Sequence, residues 1–179
     1  MSSAIRRVVT GHDSAGKSCV MIDAPLSAVT VPHDRLAWTS GAMPADATAN
    51  ADAALVPHRL EPRVGGSIFR VVEFPPAKVM AGFTAEQKEA FFRELFGGMS
   101  AAHCRVDTTR GPGMHRTASL DYVVVLRGEI VLMLDAGEVT LGPGDLVVQR
   151  ATNHDWMVPG DEPAMLAVVM IHAPDGHRI

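Results

Sequence analysis

The second half of the chain is built from short apolar segments at roughly ten-residue intervals, and Gly and Pro residues separate them. The segments are rich in β-branched residues, which favour extended backbone. This spacing predicts the strands of a sandwich or barrel and excludes alternating β and α units. The predicted strands are Asp121–Leu126, Glu129–Asp135, Glu138–Leu141, Leu146–Gln149, His154–Val158 and Ala164–Ile171.

The first half of the chain has a less regular pattern. Ile5–Thr10 and Ser18–Asp23 are predicted to be two strands around a polar turn, and Ser67–Phe74 is a predicted strand ended by two prolines. Residues 41–57 are rich in Ala, Asp and Pro, which predicts an irregular surface excursion.

One helix is predicted, from Thr84 to about Phe96. Thr84 is a suitable N-cap, and Gln87 three residues later matches the capping box. Phenylalanine and leucine side chains provide an apolar face, and Gly97 and Gly98 are expected to end the helix.

Composition limits the classes of function. The chain has 179 residues with 47% hydrophobic residues, which suffices for one packed domain. A net charge of −4 without a basic stripe argues against a nucleic-acid surface, and neither a membrane span nor a secretory signal is evident. Two cysteines, Cys19 and Cys104, suit a reducing cytoplasm, although a single bridge between them stays open.

Gly11 to Ser18 reads GHDSAGKS and satisfies the phosphate-loop pattern letter for letter. That motif must lead from a strand into a helix whose N-terminus faces the phosphates. The segment after Ser18 is short, contains β-branched residues and ends at Pro25. We therefore interpret the match as a hairpin turn and not as a nucleotide site.

The segment from Gly113 to Gly128, GMHRTASLDYVVVLRG, carries the chemistry. Side chains alternate between the two faces of a strand, so the polar residues at every second position share one face. A histidine and a carboxylate on the inner face of a barrel are costly unless they are paired or bind an ion. The polar residues in question are His115, Thr117, Ser119 and Asp121, and a later histidine is His154.

These residues resemble the two motifs of the cupins, G-x5-H-x-H-x3,4-E-x6-G and G-x5-P-x-G-x2-H-x3-N. His115 matches the leading histidine, Asp121 takes the acidic position and Gly128 follows six residues later. Gly144 and His154 match the opening glycine and the histidine of the second motif. The resemblance implies an all-β fold, the cupin double-stranded β-helix or jelly-roll barrel, with an N-terminal β arm and one short helix.

The resemblance covers roughly residues 66–172 but departs from the family in its metal ligands. Thr117 replaces the middle histidine, and an aspartate replaces the glutamate. The ligand set that the resemblance implies is therefore His115, Asp121 and His154. Two histidines and a carboxylate form a facial triad that suits Fe(II) and related divalent ions. The ion is expected to be Fe, Mn, Zn or Ni, and Thr117 to contact a water bound to it.

The first functional hypothesis is a metal-dependent enzyme that acts on a small oxygenated molecule by a lyase or dehydratase reaction. Asp121 would move the proton if it is not a ligand, and His154 would do so if no metal is bound. An Fe(II) dioxygenase is the second hypothesis. The third is a non-catalytic barrel that binds a small ligand.

The remaining expectations concern organisation. Residues 1–65 are expected to form an N-terminal arm and loop, and residues 66–179 the barrel. Such arms often add strands to a partner's sheet in small cupins, so the resemblance implies a homodimer, in agreement with the need to cover sheet edges. His103 and His172 are each candidates for a missing ligand. The histidines expected at the surface are His12, His33, His58 and His177.

Overall fold

A computed structural model describes residues 5–12, 14, 17–25, 33–48 and 51–174. Within these ranges the chain forms mostly strands, with one α-helix and two short 3-10 helices. The strands are β1 (Arg6–His12), β2 (Ser18–Pro25), β3 (Asp34–Ser40), β4 (Ser67–Phe74), β5 (Ser119–Arg127), β6 (Ile130–Leu134), β7 (Gly137–Leu141), β8 (Leu146–Arg150), β9 (His154–Met157) and β10 (Ala164–His172). The helix α1 spans Ala85–Gly98, and the 3-10 helices span Ala77–Met80 and Ala102–Cys104.

The strands form three antiparallel sheets. A five-stranded sheet has the order β3-β4-β10-β5-β8, a three-stranded sheet has the order β7-β6-β9, and β1 and β2 form a hairpin. This is the predicted all-β cupin fold, in which β10 returns from the C-terminal end to lie between β4 and β5. Every predicted strand is present, and its ends lie within two residues of those expected.

Strand β3 was not predicted. It forms one edge of the five-stranded sheet by pairing with β4, with a register shift between Leu36 and Trp38. The alternation signal is weak here because β3 begins with a buried carboxylate, that of Asp34. β3 lies within the 1–65 segment, yet it belongs to the main sheet; the division at residue 65 stays a prediction.

The inner faces of the two larger sheets pack together at one end of the barrel. This cluster includes Ile130, Ala164 and Leu166, which are 0% exposed. Burying an aliphatic side chain of this size contributes about 1.5–3 kcal/mol. The other members are Val123, Val125, Leu132, Leu141 and Val158. Packed side chains therefore fill this end, while polar side chains occupy the inner face further along β5.

Helix α1 begins as predicted and ends later than predicted. The Thr84 hydroxyl accepts a hydrogen bond from the Gln87 N–H, and the Gln87 side chain accepts one from the Thr84 N–H, which confirms the capping box. The expected stop at Gly97 and Gly98 is wrong, because both belong to the helix. Ser100, with φ of 55°, is instead the left-handed residue after the last turn. Its N–H bonds to the carbonyl of Gly97 and the next N–H reaches back to Phe96, the Schellman arrangement.

The hairpin expected in place of a phosphate loop is confirmed. β1 pairs with β2 antiparallel, and Gly11 lies opposite Cys19. A strand therefore follows Ser18 where a phosphate loop needs a helix. Cys19 and Cys104 are both free thiols, so the bridge that had stayed open does not form. Among the described residues, no helix has the length and apolar character needed to cross a membrane.

Candidate active site

His115 and His154 lie side by side. Each donates its backbone N–H to the carbonyl of the other at 2.9 Å, so the short segment carrying His115 extends the sheet beyond β9. The centroids of the two imidazole rings are 4.4 Å apart. The structure thus brings together the two histidines that the motifs had predicted to share a site.

Both histidines are held in the same tautomer. Nδ1 of His115 lies 2.9 Å from the Gly113 carbonyl, and Nδ1 of His154 lies 2.9 Å from the Thr152 carbonyl. A carbonyl oxygen only accepts hydrogen bonds, so each Nδ1 carries a proton and each Nε2 keeps a lone pair. Metal-ligating histidines are commonly fixed by such a bond from the other ring nitrogen.

Burial keeps both rings neutral. Burial, reinforced by the neighbouring His154, lowers the pKa of His115 to about 3. Burial also lowers the pKa of His154 to about 4, against a smaller opposite effect of the Thr152 carbonyl. Histidine binds a metal in its neutral form, so this pair is ready to ligate well below neutral pH.

Aromatic rings enclose the pair. Phe96, at the end of α1, packs on the His115 ring with centroids 4.9 Å apart, and Trp156 meets the His154 ring edge to face at 6.0 Å. The Arg105 guanidinium lies 6.0 Å from the Phe96 ring centroid on the outer side. Helix α1 therefore covers one side of the histidine pair, which sequence reasoning had not anticipated.

Asp155 fixes the loop that carries His115. Its carboxylate accepts hydrogen bonds from the Gly113 and Trp156 N–H groups. A Cβ at position 113 would lie 2.6 Å from both carboxylate oxygens, so any larger residue would displace the Asp155 side chain. Because the same Gly113 accepts the bond from His115 Nδ1, the Asp155 carboxylate positions that imidazole indirectly. Burial raises the pKa of Asp155 to about 6.

Asp121 does not form a compact group of ligand atoms with the two histidines. It is 4% exposed on the inner face of β5, between Gln149 of β8 and Met170 of β10. The donor atoms of His115, Asp121 and His154 do not all lie within 4.8 Å of one another, so the predicted ligand set is brought together only in part. The Asp121 carboxylate instead makes a hydrogen bond with Ser119, two positions before it on β5.

The environment of Asp121 favours its protonated form. Burial raises its pKa to about 6 against the lowering effects of Ser119 and Arg70, and the negative charge of Glu61 makes a smaller contribution in the same direction as burial. Its Oδ1 is buried and has no hydrogen-bond partner among the described residues. Asp121 is thus an acid–base group with unused hydrogen-bonding capacity.

Thr117 belongs to the same polar row. It is 3% exposed, and its Oγ1 lies 2.9 Å from the Ser119 Oγ, within hydrogen-bond distance. Ser119 also bonds to Asp121, so three side chains are linked in series along one face. This confirms the predicted alternation, since Tyr122 on the opposite face of β5 is exposed.

A buried ion cluster lies on the inner face of β3 and β4. The Arg70 guanidinium donates to Asp34 Oδ2 at 2.9 Å, and His58 Nε2 lies 2.8 Å from the same oxygen. Burial alone would raise the pKa of Asp34, but Arg70 and His58 outweigh it and hold that pKa below its usual range. The expectation that His58 is a surface residue is wrong, because this carboxylate pairs with it in the interior. His33 is exposed as expected, whereas the His12 side chain and His177 lie outside what the structure describes.

A cavity of about 200 Å³ opens beside this cluster. Its lining includes inward-facing residues of β3 and β4 and the irregular segment 56–63. It is smaller than the roughly 300–1,000 Å³ of typical ligand pockets. Its polar lining residues are Thr39, His58, Arg59, Glu61, Arg63 and Ser100. No sequence pattern marked these residues, because most come from the irregular segment 56–63, which has no periodicity.

A second group of three metal-ligand side chains joins the loop before β4 to the 3-10 helix after α1. Among the described residues, the one such group with donor atoms within 4.8 Å of one another is Glu61, His103 and Cys104. His103, a candidate for a missing barrel ligand, belongs to this group and not to the histidine pair. His172 pairs with Ser119 across β5 and β10 and joins neither group. Burial, reinforced by Glu61, raises the pKa of Cys104 to about 12, so this thiol is a weak nucleophile.

Comparison with known proteins agrees with this fold. The cupin domain family model matches residues 103–171. "Phomopsin biosynthesis cluster protein C'" of Diaporthe leptostromiformis is 35% identical over 161 residues, which covers 84% of this chain and 68% of that protein. The chain belongs to the cupin superfamily.

Two further similarities complete the comparison. "Cupin-domain-containing oxidoreductase fogC" of Aspergillus ruber is 28% identical over 169 residues, covering 87% of this chain and 64% of that protein. A cupin with a double-stranded β-helix fold from Methanocaldococcus jannaschii is similar in structure, with 12% identity and a TM-score of 0.38. That similarity covers 60% of this chain and 72% of the other.

Proposed function

We propose that this cupin is a metal-dependent enzyme that acts on a small oxygenated molecule, with a lyase or dehydratase reaction as the first candidate. The observation that carries the proposal is the His115–His154 pair, whose Nδ1 atoms are both tied to backbone carbonyls. Both Nε2 lone pairs are then available to a divalent transition ion such as Fe, Mn, Zn or Ni. Such an ion supplies Lewis acidity, which polarises a carbonyl or carboxylate oxygen.

The proton chemistry is assigned to Asp121. A carboxyl with a pKa of about 6 exchanges protons readily near neutral pH, as an elimination requires. It can accept a proton from carbon and return it to a leaving hydroxyl. Ser119 orients this carboxyl through its hydrogen bond, and Thr117 in turn contacts Ser119. His154 is the weaker choice as a base, because its pKa lies near 4.

Metal content tests the histidine assignment. Purified protein is reloaded separately with Fe(II), Mn(II), Zn(II) and Ni(II), desalted and analysed for metal. We expect the His115→Ala/His154→Ala double variant to hold about one equivalent less than wild type, because no ligand pair remains. His33→Ala, which removes an exposed histidine, is the matched control. Equal metal content in wild type and the double variant, within about 0.1 equivalent, would overturn the assignment.

An oxidoreductase is the second candidate, and the name of the Aspergillus ruber relative favours it. Two histidines also occur in the Fe(II) oxygenase triad. The two reactions separate under argon: iron-loaded protein is offered a panel of small hydroxy acids and hydroxy ketones with and without oxygen. Loss of one water from a substrate under argon supports the lyase reaction. Oxygen uptake coupled to substrate loss, with no turnover under argon, would contradict the lyase reaction and support the oxidoreductase.

We also propose a homodimer in the cytoplasm. The outer face of β5 and β8 supports an interface, because it exposes Tyr122, Leu146 and Val148. The two free cysteines suit a reducing compartment. Light scattering at micromolar concentration tests the assembly, and a strictly monomeric mass contradicts it.

A further inference from the structure

We propose that Glu61, His103 and Cys104 form a second metal site, distinct from the histidine pair, that binds Zn²⁺. Glu61 precedes β4, whereas His103 and Cys104 belong to the 3-10 helix that follows α1. Their donor atoms all lie within 4.8 Å of one another. This proposal stands independently of the His115–His154 pair, which supplies none of the three ligands.

The distances within the group suit a single tetrahedral ion. Glu61 Oε2 lies 2.7 Å from His103 Nε2, and Cys104 Sγ lies 3.7 Å from the same nitrogen. Metal–ligand bonds of about 2.0–2.3 Å place tetrahedral ligands about 3.3–3.8 Å apart. An ion therefore needs only a small separation of Glu61 and His103, with the Cys104 sulfur already at the required distance.

The ligand types select the ion. Cysteine, histidine and glutamate are all established zinc ligands, and a cysteine thiol loses its proton to water when the ion binds its sulfur. Magnesium and calcium prefer oxygen ligands, so a cysteine in the set argues against them. Three protein ligands leave the fourth position of a tetrahedral Zn²⁺ for water.

Two of the ligands are held in place by backbone hydrogen bonds. The N–H of Cys104 bonds to the Ala101 carbonyl at 2.9 Å, and its own carbonyl accepts the Arg116 N–H at 2.8 Å. Glu61 Oε1 accepts the Ala118 N–H at 2.7 Å, which leaves Oε2 to face His103. Such bonds to ligands orient them and reduce the entropy lost when the ion binds.

The group is also accessible. The His103 side chain is 66% exposed and that of Glu61 is 16% exposed, whereas Cys104 is buried at 1%. An ion can enter from the histidine side and end against the buried sulfur. It would then tie the cavity segment that contains Glu61 to the turn behind α1, whose Phe96 packs on His115.

Cobalt is the direct probe, because Co²⁺ occupies zinc sites and shows sulfur-to-metal charge-transfer absorption only with a thiolate ligand. The full chain is titrated with Co²⁺ at neutral pH, and Zn²⁺ is then added. We expect one equivalent of this absorption in wild type, full retention in Cys19→Ser and loss in Cys104→Ser. Zn²⁺ should abolish the band by displacement. The barrel histidines cannot contribute to this signal, since their set contains no cysteine.

A second variant, at an exposed position, keeps the test decisive if Cys104→Ser does not fold. His103→Ala changes an exposed side chain and should weaken the apparent Co²⁺ affinity at least about tenfold, the lower range for changes around metal sites. His33→Ala, another exposed histidine beside a glutamate, should leave it unchanged. The proposal is overturned if wild type shows no thiolate band, if Cys104→Ser retains it, or if Cys19→Ser loses it. Equal affinity in His103→Ala and wild type would overturn it as well.

Discussion

Replacement of Arg70 by leucine is the sharpest test of the interior electrostatics. Arg70 is 2% exposed and donates to Asp34 at 2.9 Å. Its other terminal nitrogen donates at 2.6 Å to the carbonyls of Arg59 and Leu60, next to the cavity. Arg70→Leu therefore removes the main countercharge of a buried carboxylate and releases the cavity segment.

The expected loss in the free energy of unfolding follows from the buried Asp34 carboxylate, which the substitution leaves without its main countercharge. Breaking a buried pair by removing one partner costs about 3–5 kcal/mol. His58 remains beside Asp34 and offsets part of this, so we expect a loss of about 3 kcal/mol in the free energy of unfolding at pH 7. Since domains are stable by only about 5–15 kcal/mol, such a loss is readily measured by urea unfolding.

Two controls isolate the cause. Arg127→Leu breaks the pair with Glu73, which has the same 2.9 Å distance but a guanidinium side chain that is 48% exposed, and should cost less than about 1 kcal/mol. The Asp34→Leu/Arg70→Leu double variant removes both charges and should be more stable than Arg70→Leu alone. A loss below about 1 kcal/mol in Arg70→Leu, or a double variant no better than the single one, would refute the reasoning.

The pH dependence provides a further check with a defined sign. In wild type the pKa of Asp34 is lowered, so its contribution is present above its unfolded value and is lost as the pH falls through the folded one. In Arg70→Leu, burial becomes the dominant effect on the pKa of Asp34 and raises it, so the Asp34 carboxyl takes up a proton at a higher pH than in wild type. Arg70→Leu should therefore be less destabilised at pH 4 than at pH 7.

Three further predictions concern the histidine pair. Histidines with an ordinary pKa near 6.5 would weaken Ni²⁺ binding by about a thousandfold between pH 7 and pH 5. The pKa values of His115 and His154 lie near 3 and 4, so few of these rings are protonated at pH 5 and the Ni²⁺ affinity should fall less than about twofold over this range. A thousandfold fall in the Ni²⁺ affinity measured by calorimetry would contradict this expectation. Asp155→Ala removes the acceptor that fixes Gly113 and should lower metal affinity about 10–100-fold in a competition titration; unchanged affinity would remove its positioning role. Gly113→Ala inserts a Cβ 2.6 Å from a carboxylate and should cost about 1–3 kcal/mol in thermal unfolding, whereas Gly142→Ala, with nothing within 4 Å, should not.

Local pattern sufficed for most of the fold. Alternating β-branched segments and Gly/Pro turns predicted the strands, since side-chain periodicity and turn chemistry are properties of neighbouring residues. The same holds for the capping box of Thr84 and Gln87. The end of α1 was not predictable in this way, because Phe96 and Met99 pack into a cluster with Cys104 and hold the last turn through both glycines.

The candidate site was likewise predictable from the sequence only in part. The resemblance to the two cupin motifs predicted that His115 and His154 would share a site, and in the structure their backbones pair in a single β-bridge. It also predicted Asp121 as a ligand, yet its position relative to the histidines depends on how the two sheets face each other, which spacing along one strand does not determine.

Tertiary contacts alone decided the rest. His58 has the same sequence signature as an exposed loop histidine, and only the burial of Asp34 and Arg70 beside it makes it an interior residue. Glu61 and His103 are separated by 42 positions, and no periodicity relates them. Structure is easiest to predict from sequence where residues that are neighbours in the chain are also neighbours in space. A site that combines a loop with a distant turn forms only when tertiary packing brings the two segments together, which local sequence patterns do not report.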